Sequence, residues 1–152
     1  MNNIPEVKLG IIAVSRDCFP IDLAERRRTA VVKALKKKGV KVTEIKTIIE
    51  GGIDQNVLEA YEEIKKSKIN ALAVFLGNFG PEGPETAIAK MFGGPVMYCA
   101  AAGGKHGGLS SERGDAFCGM LNASYNLKLS DINAYIPEYP VGTAEEVAGM
   151  TA

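Results

Sequence analysis

INALAVFLGNFGPEGPET (Ile69–Thr86) starts as an apolar run and ends in three evenly spaced glycines and two prolines. Such a run suits a strand covered on both faces. Gly77, Gly80 and Gly83 then shape a tight loop, and Pro84 stands where a helix tolerates proline, in its first turn. Strand, glycine-rich loop and helix in succession predict the central unit of a parallel α/β sheet.

The same alternation extends in both directions. VKLGIIAV (Val7–Val14) reads as a buried strand, followed by a helix over about Ile21–Lys38 that Gly39 closes. VKVTEIK (Val40–Lys46) alternates like a strand near the sheet edge. Asp54 can cap the next helix, with Ile53 and Leu58 forming a hydrophobic staple. After the helix over Pro84–Phe92, PVMYCAAA (Pro95–Ala102) is the fourth strand. A helix over about Asp115–Leu127 and a fifth strand in INAYIP (Ile132–Pro137) complete the pattern. The expected architecture is a single doubly wound, three-layer α/β domain over residues 1–152, with a flavodoxin-like or Rossmann-like five-stranded parallel sheet in the order 2-1-3-4-5. TAEE (Thr143–Glu146) is a capping box opening a helix over about 144–152. That helix either docks as the fifth or belongs to a chain that continues past Ala152; the second is the expectation.

Composition narrows the function classes. Eighteen basic residues balance eighteen acidic ones, so no net field recruits nucleic acid or anionic lipid. The runs ERRR (Glu25–Arg28) and KALKKKG (Lys33–Gly39) share one helix and read as a solvated face. No apolar run is long enough to span a bilayer, and three unrelated cysteines make neither a disulfide framework nor a zinc motif. A cytoplasmic setting is expected, with no nucleic-acid or membrane partner.

In such sheets ligands bind beyond the carboxyl ends of the strands. The rim there has no Lys-Ser/Thr pair for a P-loop, no G-x-G-x-x-G after strand one, and no aspartate ending strand three. Glu82 and Glu85 would complement a helix dipole and repel a phosphate. Asn78 and Phe79, with these carboxylates, suit a neutral polyol, since amide and carboxylate bind hydroxyls and an aromatic face covers C–H surface. A tight turn shaped for its own sake is the competing reading. Arg16 and Asp17 follow strand one and either face the ligand or pair with each other. Cys99 and His106 form a weaker nucleophile–base candidate, a buried cysteine being commoner. RGD (Arg113–Asp115) reads as a loop arginine before a helix cap. Asn122, Ser124, Tyr125 and Asn126 give the fourth helix a polar side suited to a partner.

SRDCFPIDLAERRR, LGNFGPEGPET, RGDAFCGMLNASYNL and AYIPEYPVGTAEEV, in that order, resemble the N-terminal region of the L-fucose isomerase and L-arabinose isomerase-like family. The resemblance implies aldose–ketose isomerases that move a proton between adjacent carbons through an enediol. It also implies a divalent metal, usually manganese, held by middle and C-terminal domains that are absent from this sequence. The N-terminal domain then packs a homo-oligomer and lends monosaccharide contacts to a neighbouring subunit. In that scheme Arg16 matches the family's arginine and Phe79 corresponds loosely to its loop aromatic, although GNFGPEGPET lacks a tryptophan and leaves the sugar open. The expected substrate-binding residues are Arg16, Asp17, Asn78, Phe79 and Glu82, with no catalytic or metal-binding residue in this chain. A free-standing sugar-binding or assembly module is the alternative.

Overall fold

The computed structural model describes residues 4–51, 54–104 and 113–152, the side chains of Asp54 and Gln55 excepted. The described residues form six strands and five helices, in the order β1 (Leu9–Ser15), α1 (Ile21–Lys37), β2 (Val42–Glu44), β3 (Ile49–Glu50), α2 (Asp54–Ser67), β4 (Ala71–Leu76), α3 (Glu82–Phe92), β5 (Val96–Ala101), α4 (Ala116–Leu129), β6 (Val141–Gly142) and α5 (Ala144–Thr151). All pairings are parallel, in the order β2-β1-β4-β5-β6 with β3 added to β1.

Side chains alternate across the sheet as the pleat demands. Ile12, Val14, Leu72, Val74, Leu76 and Tyr98 face α2, α3 and α4, where Ile64, Ile88 and Met120 complete one core. Ile11, Ala13, Ala73, Phe75 and Cys99 face α1 and α5, where Val31, Leu35 and Val147 complete the other. The domain is therefore a doubly wound three-layer sandwich, as expected.

Two details of the expected sheet are corrected. The second strand is shorter than Val40–Lys46 and is followed by the unforeseen β3. The break comes from α2: the Glu63 carboxylate accepts the backbone N–H groups of Lys46 at 2.7 Å and Thr47 at 3.0 Å, which removes both from a ladder. The fifth strand is Val141–Gly142, while Ile132–Pro137 meets β5 only at the Met97–Tyr135 bridge. Pro137 and Pro140 have no N–H to donate, so the segment cannot sustain a ladder.

Helix ends follow their local chemistry. Gly39 (φ 78°) leaves α1 through the left-handed region that glycine enters freely. Helix α3 starts at Glu82, two residues before the expected Pro84, which sits in the first turn without losing a hydrogen bond. Asp115 precedes α4 in a left-handed conformation and makes no side-chain cap; its carboxylate takes Arg113 instead. The Thr143–Glu146 capping box is formed, and α5 docks with Val147 and Ala148 fully buried. Asp54 opens α2, while its side chain and Ile53, on which the expected cap and the staple with Leu58 depend, lie outside what is described. Among the described residues no helix is long and apolar enough to cross a membrane.

Candidate functional site

The carboxyl ends of β1 and β4 deliver their loops side by side, because Val14 and Leu76 are paired in register. Asn78 joins the two loops. Its Oδ1 accepts the Arg16 N–H at 2.8 Å, and its Nδ2 donates to Ser15 Oγ at 2.8 Å. The side chain is fully buried, so the amide's bonding capacity is spent on shaping the loops. From beneath, Arg27 Nη1–H donates to the Gly77 carbonyl at 2.7 Å.

Arg16 projects above this frame. Its Nη1–H donates to Glu82 Oε1 at 2.6 Å, and its guanidinium carbon lies 5.1 Å from the centre of the Phe79 ring. Asn122 of α4 donates from Nδ2 to the same Glu82 oxygen at 3.0 Å. The Arg16 and Glu82 side chains keep 36% and 28% of their surface exposed, so the pair is held yet open to a ligand. Burial pushes the Glu82 carboxyl up, but its own backbone N–H, Arg16 and Asn122 outweigh that and hold it below the usual range. The hydrogen bond to Glu82 in turn raises Arg16, against its desolvation.

Asp17 is exposed at the outer side of the same loop. It borders the end of β3, where a Cβ built on Gly51 would stand 3.8 Å from Asp17 Oδ1 and 3.5 Å from Pro81 Cβ. The structure thus gathers Arg16, Phe79 and Glu82 into one cluster, sets Asp17 at its margin and places Asn78 below as its support. Asn122 was read only as part of a partner-facing side. Its three-residue spacing from Gly119, the point of close α4–loop approach, was the available signal.

Glu85 departs from its expected role as a dipole-complementing anion. It is fully buried, and neither carboxyl oxygen has a hydrogen-bond partner among the described residues. Burial, then the charge of Glu82, push its pKa well above the usual range, with Arg16 opposing. Cys99 is likewise enclosed, its thiol pushed up to about 12 by burial, which removes it as a nucleophile. His106 lies outside the described residues.

Among the described residues no three His, Cys, Asp or Glu side chains gather to hold a metal ion. Glu82 and Glu85 do not fit one either: Glu82 is engaged by Arg16 and Asn122, and Glu85 is fully enclosed. A separate groove of about 460 Å³, lined by Leu9, Ala71, Val96 and Met97 among others, opens at the opposite end of the strands. Its lining is mostly apolar, with Lys41, Tyr135 and Thr151 as the side chains bearing polar groups, and it shares no residue with the rim cluster.

Fold and rim together define a doubly wound α/β domain with a polar cluster at the carboxyl ends of its central strands. The sequence model of the fucose/sulfoquinovose isomerase N-terminal domain matches residues 10–152, and the chain belongs to that family. No curated protein and no solved structure matches the chain.

Proposed function

We propose that this chain is the substrate-recognition and oligomerisation domain of an L-fucose/L-arabinose-isomerase-like aldose–ketose isomerase. The observation that carries the reading is Arg16, fixed between the Phe79 ring and the Glu82 carboxylate yet partly open at the rim. Guanidinium donors, a carboxylate acceptor and an aromatic surface together suit a monosaccharide. Asp17 adds an acceptor at the margin, and Asn78 contributes by holding the loops.

Proton transfer between adjacent carbons needs an acid or base free to reach both. Glu82 is tied in its ion pair and Glu85 is enclosed. In this reading the transfer, and the manganese that would polarise the sugar, belong to middle and C-terminal domains outside this sequence. Assembly with further copies is supported by α4, which exposes Phe117, Leu121, Tyr125 and Leu129 at four-residue spacing. Lys128 is the one charged residue on that helix, so two copies would meet little repulsion. The free cysteines Cys18, Cys99 and Cys118 support a cytoplasmic setting.

Saturation-transfer NMR with L-fucose and L-arabinose, alongside an isomerase assay with manganese supplied, tests the reading. The chain should bind one of the sugars weakly, lose that binding in Arg16→Met, and convert neither. Turnover by the chain itself, or sugar binding indifferent to Arg16, would overturn it.

A further inference from the structure

Glu85 occupies the first turn of α3, directly beneath the loop that carries Phe79. Gly80 makes the room: a Cβ there would fall 2.5 Å from Glu85 Oε2 and 3.0 Å from Val14 Cγ2. Gly80 is also in the left-handed region (φ 77°), so two independent constraints require glycine above this carboxyl. The Gly80 N–H points to Asn78 Oδ1 at 3.4 Å, the same oxygen that takes the Arg16 N–H. Glu85 also follows Glu82 by one turn of α3, and Glu82 Oε1 holds the Arg16 guanidinium at 2.6 Å, which brings that cation to the same helix start.

Among the described residues, the charged and titratable groups facing Glu85 come from three elements. Glu82 on α3 repels its charge, Arg16 on the β1 loop attracts it, and Tyr98 of β5 donates from Oη to the Glu85 backbone carbonyl at 2.5 Å, not to the carboxyl. With both oxygens unpartnered among the described residues, the neutral acid fits this enclosure without the large desolvation cost of the anion.

The geometry points to Glu85 as a proton-controlled positioning residue: neutral, it seats under Gly80 and leaves Arg16 to Glu82; ionised, it draws the guanidinium inward and breaks the Arg16–Glu82 pair. Arg16, held on Glu82 one turn before Glu85, is the nearby cation whose charge favours the ionised form, so it is the partner an ionised Glu85 would recruit. Its significance for a ligand rests on the proposed function above, but the device itself does not.

Carbon-detected NMR of the isotope-labelled chain tests it without any sugar. The Glu85 carboxyl should stay protonated after the other glutamates have ionised, then titrate together with a shift of the Arg16 Nε–H resonance. In Glu85→Gln, an isostere of the neutral acid, the Arg16 shift should vanish while Glu82 titrates as before. A Glu85 that ionises with the exposed glutamates, one that stays protonated until base unfolds the chain, or an Arg16 shift that persists in Glu85→Gln would each overturn the inference. If the coupled titration is present but sugar binding is absent, the recognition reading falls and the proton-controlled residue stands.

Discussion

Gly119 of α4 lies so close to Phe79 that a Cβ on it would fall 1.8 Å from the Phe79 carbonyl oxygen. Helix and rim loop are thus in backbone contact, and this contact sets where the Phe79 ring meets Arg16 and where Asn122 meets Glu82. Gly119→Ala should lower stability by about 1–3 kcal/mol, because the loop must move to admit one methyl group. Urea unfolding measures the loss, and altered ring-current shifts at Arg16 would show that the Phe79 ring has moved.

Asn78 should matter more for folding than an exposed ligand contact would. Asn78→Ala strands the Arg16 N–H and the Ser15 hydroxyl where the amide now meets both. A cost of about 1–3 kcal/mol per stranded group is expected, read as a lower midpoint in urea.

Glu82 and Glu85 should pull stability in opposite directions with pH. The Glu82 pKa is depressed in the fold, so its contribution is present above the unfolded value and is lost as pH falls through the folded one. That of Glu85 is raised, so the fold holds a proton that the unfolded chain has released, and stability drops as pH rises between the two values. Glu85→Gln should therefore gain on the wild type with rising pH, by up to about 1.4 kcal/mol per unit within that window. Glu82→Gln should lose modestly at neutral pH, since the pair is partly exposed. Thermal melts that start well below the ordinary glutamate range and run upward through neutral pH would separate the two signs, and parallel curves for both variants would contradict the assignment.

Thr143→Ala removes the hydroxyl that accepts the Glu146 N–H at 3.3 Å. The expected cost is about 1 kcal/mol. Hydrogen exchange should report it first in α5, which has eight residues and few other means of closing its first turn.

Leu121→Glu puts a charge in the middle of the exposed α4 row, where Leu121 is 61% exposed. The melting temperature should hardly change, while self-association measured by light scattering against concentration should fall. A large loss of stability would mean that Leu121 supports the monomer.

The buried strands were legible because continuous apolar runs leave few alternatives: β4 and β5 lie within the stretches expected for them, and β1 runs one residue past its own, to Ser15. Strand five was misplaced because INAYIP has a strand's composition, whereas the prolines that follow decide where a ladder can form. Strand β3 could not be read from two residues; it exists because Glu63, on a different element, takes over the backbone just before it. At the rim, Arg16 and Phe79 were legible from their positions just past strand ends and Glu82 from its place at a helix start. The contribution of Asn122 was not, since its partner stands 40 positions away in the chain. The sequence places Glu85 at a helix start, but only the packing of Gly80 and Val14 over it makes it a buried acid.

The Glu63 clamp also bears on how the sheet's borders meet other chains. By diverting the Lys46 and Thr47 amides it leaves one border as two short pieces of three and two residues. The opposite border, Val141–Gly142, is equally brief and flanked by Pro140. Neither offers the long run of open donors and acceptors that templates an added strand. The fold thereby guards itself against edge-to-edge aggregation, and growth of any assembly is steered toward its helical faces.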